Sequence, residues 1–270
     1  MKHCTLWLVL TICLNTPLTA GAAQVTVAVA SNFLQPLKAL AETFETETGH
    51  RLIISSASSG KLYAQILHGA PFDIFLSADQ QKPEALEQAG KIVPGSRFTY
   101  AVGRLALWSA GPDLIKDSPD ILQTDQFERI ALANPRLAPY GVAATEVMQA
   151  LGVEARLRSK QVLGENIAQT YQFVYTGSAR IGFVALSQLL SDGQIRSGSA
   201  WIIPDSLHSP VRQDAVQLRR SAANPAAAEF LQLLRSAAGQ SLLEGFGYRI
   251  TTPDTTGKLD PANGAVLVSD

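Results

Sequence analysis

The feature that most constrains this chain is a repeated junction, in which an apolar run ends in Ser, Asn or Gly and feeds straight into a helical stretch. Gln24-Val25-Thr26-Val27-Ala28-Val29-Ala30 has the composition of a buried strand. Ser31 and Asn32 follow, and then Phe33, Leu37, Leu40 and Phe44 recur at helical spacing as far as Gly49, with Pro36 in or near the first turn. Residues 51–55 read as a second strand that runs into Ser55-Ser56-Ala57-Ser58-Ser59-Gly60, after which Leu62, Ile66 and Leu67 mark one side of a helix. Residues 73–77 read as a third strand and 82–89 as the helix after it. Strands joined to helices through short loops predict a parallel sheet of βαβ units, an α/β fold.

The alternation restarts beyond Tyr100. Strands are expected at 104–108, 129–133, 181–184 and 201–203, and helices at 141–151 and 166–175. After a turn at Pro204-Asp205, residues 211–218 read as extended, 225–238 as a helix with Pro225 in its first turn, and 248–250 as a short extended piece. A chain of 270 residues suits two such units. The expected division is one lobe from 24–100 plus 205–250, a second lobe from 101–204, and a tail at 251–270. The tail, rich in Thr, Pro, Gly and Asp, is expected to be mobile.

With 22 Lys+Arg against 23 Asp+Glu, the chain lacks the basic footprint of a nucleic-acid binder, and 7 % aromatic residues are few for a base-stacking platform. The first 22 residues have a basic start at Lys2, an apolar core and an Ala20-Gly21-Ala22 exit, which together read as a cleavable secretory signal peptide. Asn15 and Pro17 cut the apolar run short of the ~20 residues a membrane helix needs. Cys4 and Cys13 both lie in this segment, so the mature protein is expected to have no cysteine, and no disulfide or Cys-ligated metal. Cleavage after Ala22 would remove Lys2 and no acid, taking the formal charge from −1 to −2.

Junctions of this kind lie at the carboxyl edge of the sheet, where open α/β folds place their ligands. The first-turn amides of a helix have no partner within the helix and carry the positive end of its dipole. Ser31-Asn32 and Ser58-Ser59-Gly60 therefore form a candidate anion cradle of neutral groups, although each serine taken singly is a good helix cap. The sequence has no G-x-S-x-G elbow, H-E-x-x-H motif, calcium loop or P-loop. His50, His68 and His208 are widely separated in polar surroundings. One enzyme signature occurs: Ser58-Ser59-Gly60-Lys61 satisfies the S-x-x-K of serine acyl-enzymes. Its S-D-N and K-T-G partner motifs are missing, and Lys61 is expected to project into solvent.

The run from Val27 to Phe33, the Ser58-Ser59 loop and Gly69-Ala70-Pro71-Phe72-Asp73-Ile74-Phe75-Leu76-Ser77-Ala78-Asp79 closely resemble periplasmic molybdate-binding proteins, the soluble receptors of molybdate ABC importers. The resemblance continues through Pro139-Tyr140-Gly141, Gly164-Glu165-Asn166-Ile167 and Gly182-Phe183-Val184 and ends near Phe246-Gly247-Tyr248. It implies a two-lobed class II binding-protein fold, each lobe a mostly parallel sheet flanked by helices, with the anion in the cleft between lobes. The hinge would fall near 100–103 and 204–206. The resemblance also implies a monomeric binding protein, not an enzyme, that is exported to the periplasm and hands molybdate or tungstate to a permease driven by an ATPase. It maps the oxyanion contacts onto Ser31, Asn32, Ser59, Tyr140 and Ile167, with no resident cofactor and no side chain bonded directly to the metal. Many members carry a binding Tyr where this chain has Ala185, and Tyr140 stands as its replacement.

Molybdate is a tetrahedral dianion, and burying it uncompensated would cost tens of kcal/mol on a Born estimate. Hydrogen bonds to a charged group contribute roughly 1.5–3 kcal/mol each, so about six to eight preorganised donors offset much of that loss. Sulfate has the same shape and charge and is the alternative ligand for such a site. Cavity size is what remains to discriminate against it, because the smaller ion leaves the donors stretched.

Overall fold

A computed structural model describes residues 21–191 and 193–250. The expected signal peptide at 1–22, apart from Gly21 and Ala22, and the expected tail at 251–270 lie outside the described residues. In the first sheet β1 (Gln24–Ala30) pairs in parallel with β2 (Arg51–Ala57) along its whole length, joined by α1 (Leu34–Thr48). After α2 (Ser59–Leu67), β3 (Ile74–Leu76) adds in parallel on the other side of β1. Next come α3 (Gln81–Gln88) and β4 (Phe98–Gly103).

The chain then builds a second sheet. It comprises β5 (Leu105–Ser109), β6 (Ile130–Ala133), α4 (Pro139–Ala150), α5 (Glu154–Leu157), β7 (Gln161–Gly164), α6 (Ile167–Tyr175) and β8 (Ile181–Ala185). A small hairpin of β9 (Leu190–Ser191) and β10 (Gln194–Ile195) precedes β11 (Ser199–Ile202). The chain returns through β12 (Val211–Gln217) and ends, among the described residues, with α7 (Pro225–Arg235) and α8 (Ala237–Gly245). Strand orders are β2-β1-β3-β12-β4 and β11-β5-β8-β6-β7. Each sheet has one reversed strand: β12 runs antiparallel to β3 and β4, and β5 to β8 and β11. The reversed strands lie next to the crossings between sheets, since β5 begins and β12 ends an excursion into the second sheet.

Helices cover both faces of each sheet. Phe33, Leu37 and Phe44 pack with Phe230 on one face of the first sheet, and Leu62, Ile66 and Leu86 pack with Phe75 on the other. In the second sheet Leu107, Phe183, Tyr140 and Val147 form one layer, and Trp108, Val174, Val184 and Leu186 the other. Ala30, Ala78 and Val211, from the first sheet's strand ends, join the Tyr140 layer, so apolar packing is continuous between the two halves.

The sequence expectation divided the lobes at 100/101 and 204/205. Sheet membership changes first between Gly103 and Leu105 rather than at 100/101, because β4 carries Tyr100 to Gly103 along β12, and again between Ile202 and Val211, an interval that contains 204/205. The intervening turn Asp205–Leu207 packs Leu207 on the second sheet's core. The helix expected at 225–238 breaks at Ser236, whose backbone is extended (φ −67, ψ 159) and whose Oγ accepts from Gly239 N at 3.0 Å. A serine that can cap the following turn competes with its own helical hydrogen bond, so α8 starts as a separate helix.

The start of α4 leaves no room for a side chain at Gly141, where a Cβ would run into the Ala133 carbonyl oxygen at the end of β6. Gly141→Ala is expected to destabilise the fold by about 1–3 kcal/mol in urea unfolding, the usual range for overpacking a tight contact. Unchanged stability would mean that this helix start is free to shift.

Candidate functional site

The chain's junctions of strand and helix meet where the two sheets face each other. Gly60 N, in the first turn of α2, donates to Leu137 O, just before α4, at 3.0 Å. Ser187 Oγ, after β8, donates to Asn32 O, after β1, at 2.9 Å. Lys61 Nζ on α2 meets Glu165 Oε1, just before α6, at 2.7 Å. Three different helix starts are thus joined across the cleft.

At each start the local caps decide which amides remain free. Ser58 caps α2 by accepting from Lys61 N at 3.4 Å, and Leu137 takes Gly60 N, which leaves the Ser59 amide with neither acceptor. Asn166 caps α6 by accepting from Ala168 N and Gln169 N, both at 3.0 Å, and so leaves the Ile167 amide. In the 3-10 turn Ser31–Phe33 the cap position is held by Ala30, which has no side-chain acceptor to offer the first-turn amides. Pro139 opens α4 with its fixed φ and no amide to satisfy, a residue suited to that position. It sets Tyr140 one residue inside the helix.

All five residues assigned to the site from sequence are buried. Ser59 is 1 % exposed, and its Oγ accepts from Ala78 N at 2.9 Å. Tyr140 is 1 % exposed, and its Oη accepts from Gln213 Nε2 at 3.2 Å. Each hydroxyl therefore fills a lone pair with a protein N–H and keeps its own proton for another acceptor. Ser31 and Asn32 line a groove of about 340 Å³ together with Ala168 and Gln188, while the Ile167 carbonyl accepts from Gln188 Nε2 at 3.1 Å. Asn32 Nδ2 turns inward to Gln213 Oε1 (2.8 Å) and Tyr248 Oη (3.0 Å), so its side chain belongs to the wall behind the cleft. Ala185 is fully buried at the end of β8, with its amide taken by Gln188 Oε1; a methyl group offers no hydrogen-bond donor there, whereas Tyr140 brings a phenol.

The five residues themselves are uncharged; the charged groups near them are Arg196 on the groove wall and the Lys61–Glu165 pair across the cleft. The buried carboxylates are engaged elsewhere: Asp73 with Arg220 and Thr26 N, and Asp214 with Arg97, Thr99 and Gln80. Burial raises the phenol pKa of Tyr140, Tyr100 and Tyr248, so all three remain protonated donors throughout the physiological range. Among the described residues no group of three or more His, Cys, Asp or Glu side chains could hold a metal ion. Lys61, expected in solvent, pairs instead with Glu165, because the facing helix start brings a carboxylate across the cleft; both side chains remain about half exposed. Ser58 Oγ acts as a helix cap and the Lys61 ammonium is held by Glu165, so each S-x-x-K side chain is engaged with a partner other than the other's side chain.

Sequence reasoning missed Gln213, Tyr100, Tyr248 and Ser187, which form the polar wall behind Tyr140 and Asn32. The available signal was Gln213 itself, an uncharged polar residue in an extended run that must sit inside a sheet. Gly103 also belongs to this wall, since a Cβ there would collide with Tyr140 Oη and lie 2.5 Å from Gln213 Nε2.

Two mixed sheets flanked by helices, with helix starts meeting between them, make the two-lobed α/β fold of periplasmic binding proteins. A family model described as bacterial extracellular solute-binding protein matches residues 25–249, and the chain belongs to that family. It is 48 % identical over 229 residues to the molybdate-binding protein ModA of Azotobacter vinelandii, covering 85 % of this chain and 91 % of that one. It is 44 % identical over 239 residues to ModA of Rhodobacter capsulatus, covering 88 % and 93 %. The solved structure of the periplasmic molybdate-binding protein of A. vinelandii superposes with a TM-score of 0.82, covering 84 % of this chain and all of that one at 38 % identity.

Because Gly103 makes room for two buried polar groups, Gly103→Ala is expected to lower stability by about 1–3 kcal/mol in urea unfolding. It should also raise the exposure of Tyr140 to acrylamide quenching. A variant as stable as the parent with unchanged quenching would contradict this packing.

Proposed function

We propose that this protein captures molybdate, and tungstate with it, in the cleft between its lobes and delivers it to the permease of an ABC importer. On this reading it is an exported, periplasmic, monomeric binding protein and not an enzyme. Its oxyanion contacts are the Ser31, Ser59 and Tyr140 hydroxyls and the main-chain amides of Asn32, Ser59 and Ile167. The observation that carries the reading is the state of the two best-defined hydroxyls: Ser59 and Tyr140 each accept from a protein N–H and keep a proton to give. Such donors fit an anion with acceptors on every vertex and no proton of its own. The names of the relatives at 44–48 % identity support molybdate as that anion.

Neutral donors also favour selectivity. A lysine or arginine in the cleft would attract any anion, including the abundant wrong ones, whereas neutral groups gain only where their geometry matches. An ionised carboxylate facing the ligand would accept a hydrogen bond from a protonated oxyanion such as hydrogen phosphate; here the buried carboxylates are turned elsewhere. Closure follows from donors supplied by both lobes, because the closed state gains ligand contacts that the open state cannot make.

Calorimetric titration of the purified protein is expected to give one site for molybdate and for tungstate, with sulfate far weaker and phosphate weaker still. Ser59→Ala should weaken molybdate binding by roughly 1–3 kcal/mol, the cost of leaving a charged acceptor without its donor. Equal affinity for sulfate and molybdate, or an unaffected Ser59→Ala variant, would contradict the reading. Affinity should also be flat between about pH 6 and pH 9, because the raised tyrosine pKa values keep the phenols neutral well past that window. A loss of binding in that window would place an ionising group at the ligand.

A further inference from the structure

The Tyr140 hydroxyl can serve a ligand as donor only if its proton is not drawn into the protein. We infer that Gln213 is the positioning residue that fixes this: its side-chain amide sets the direction in which the Tyr140 O–H points. The inference rests on the reading of Tyr140 as an oxyanion contact.

Gln213 lies within β12, fully buried, beside an irregularity in the pairing with β4. Its Oε1 accepts from Asn32 Nδ2 at 2.8 Å and Tyr100 Oη at 3.0 Å, which uses both lone pairs. Nε2 is thereby turned to Tyr140 and donates to its Oη. Reversing the Gln213 amide alone would set its NH2 against the NH2 of Asn32. Only a concerted reversal of both amides would be self-consistent, and it would point the Tyr140 proton inward at Gln213 Oε1. In the observed sense the proton is turned away from Gln213 and stays available to a ligand. The neighbouring Tyr248 hydroxyl accepts from Asn32 Nδ2 and donates to Asn32 O (3.0 Å) or Ser187 Oγ (3.1 Å); among the described residues, its second lone pair is the one protein acceptor that competes with a ligand for the Tyr140 proton.

The network spans the cleft. Asn32, Tyr100, Gln213 and Tyr248 belong to the first half, and Tyr140 and Ser187 to the second, so the sense of the Tyr140 hydroxyl is set only when the halves meet. A glutamine can do this and a glutamate cannot, because a carboxylate has acceptors only and would draw the Tyr140 proton inward. The groups facing Gln213 are the three phenols. Asp214, next in the chain, is bound to Arg97, and Asp79, which bears on Tyr100, is bound to Lys82.

The test is a calorimetric cycle with molybdate on the parent, Gln213→Met, Tyr140→Phe and the double variant. Gln213→Met should bind about tenfold more weakly than the parent, and should cost nothing further once Tyr140 is Phe. A Gln213→Met loss that persists in full in the Tyr140→Phe background overturns the inference and makes Gln213 a structural residue. A second variant guards against misfolding. Gln213→Glu should bind poorly near pH 8 and recover as pH falls through the raised pKa of its buried carboxyl. The acid form again gives Tyr140 an O–H and Tyr100 and Asn32 a carbonyl, while the parent stays flat over the same range. A folded Gln213→Glu variant that shows no recovery overturns the inference too. If the parent does not bind molybdate, or Tyr140→Phe binds as the parent does, it is the reading of the site that fails, and the two failures are distinct.

Discussion

A buried dianion must be given, by the protein, the hydrogen bonds it loses with water. Neutral groups achieve this only when their donors are already aimed at it. On the proposed reading much of the architecture serves that condition. Strands deliver helix starts to one edge, local caps use up the amides that are not needed, and protein N–H groups fill the lone pairs of Ser59 and Tyr140. A hydroxyl is ambivalent by nature; an incoming donor on its oxygen turns the O–H away from that side.

The magnitudes indicate what holds the cleft shut. The Lys61–Glu165 pair is half exposed, and exposed ion pairs contribute about 0.2–1 kcal/mol before screening by salt. The bond from Gly60 N to Leu137 O, as a neutral pair, adds on the order of 1 kcal/mol. Each donor to a dianion contributes roughly 1.5–3 kcal/mol, and several converge. On the proposed reading the ligand dominates closure, and the protein's own contacts across the cleft set its register. Apolar contacts of Ala30, Ala78 and Val211 with the Tyr140 layer add to the closed state without bringing charge to the site.

Much of this was legible in the residues. β1, its following turn and the Ser58-Ser59 loop follow from β-branched runs that end in capping residues, a pattern that depends only on local chemistry. The two-lobed arrangement and the five candidate contact residues came from the resemblance, while the roles of Ser58 as cap and Ser59 as candidate donor could be separated only in three dimensions. Gln213, Tyr100 and Tyr248 were out of reach because their partners lie far off in sequence: Asn32 and Gln213 meet across 181 positions, and Asn32 and Tyr248 across 216. The break at Ser236 was missed because Ser-Ala-Ala-Gly reads equally as helix interior or helix start, and the choice is made by packing. Lys61 was read as solvated because nothing local announces Glu165, which lies 104 positions away.

The most direct measurement is anomalous diffraction at the molybdenum edge from crystals grown with molybdate. The account predicts a single strong peak between the Ser31–Phe33 turn and the starts of α2, α4 and α6. The oxygens around it should lie within hydrogen-bonding distance of hydroxyls and main-chain nitrogens from both halves. A peak elsewhere, or oxygens held mainly by arginine and lysine side chains, would contradict it.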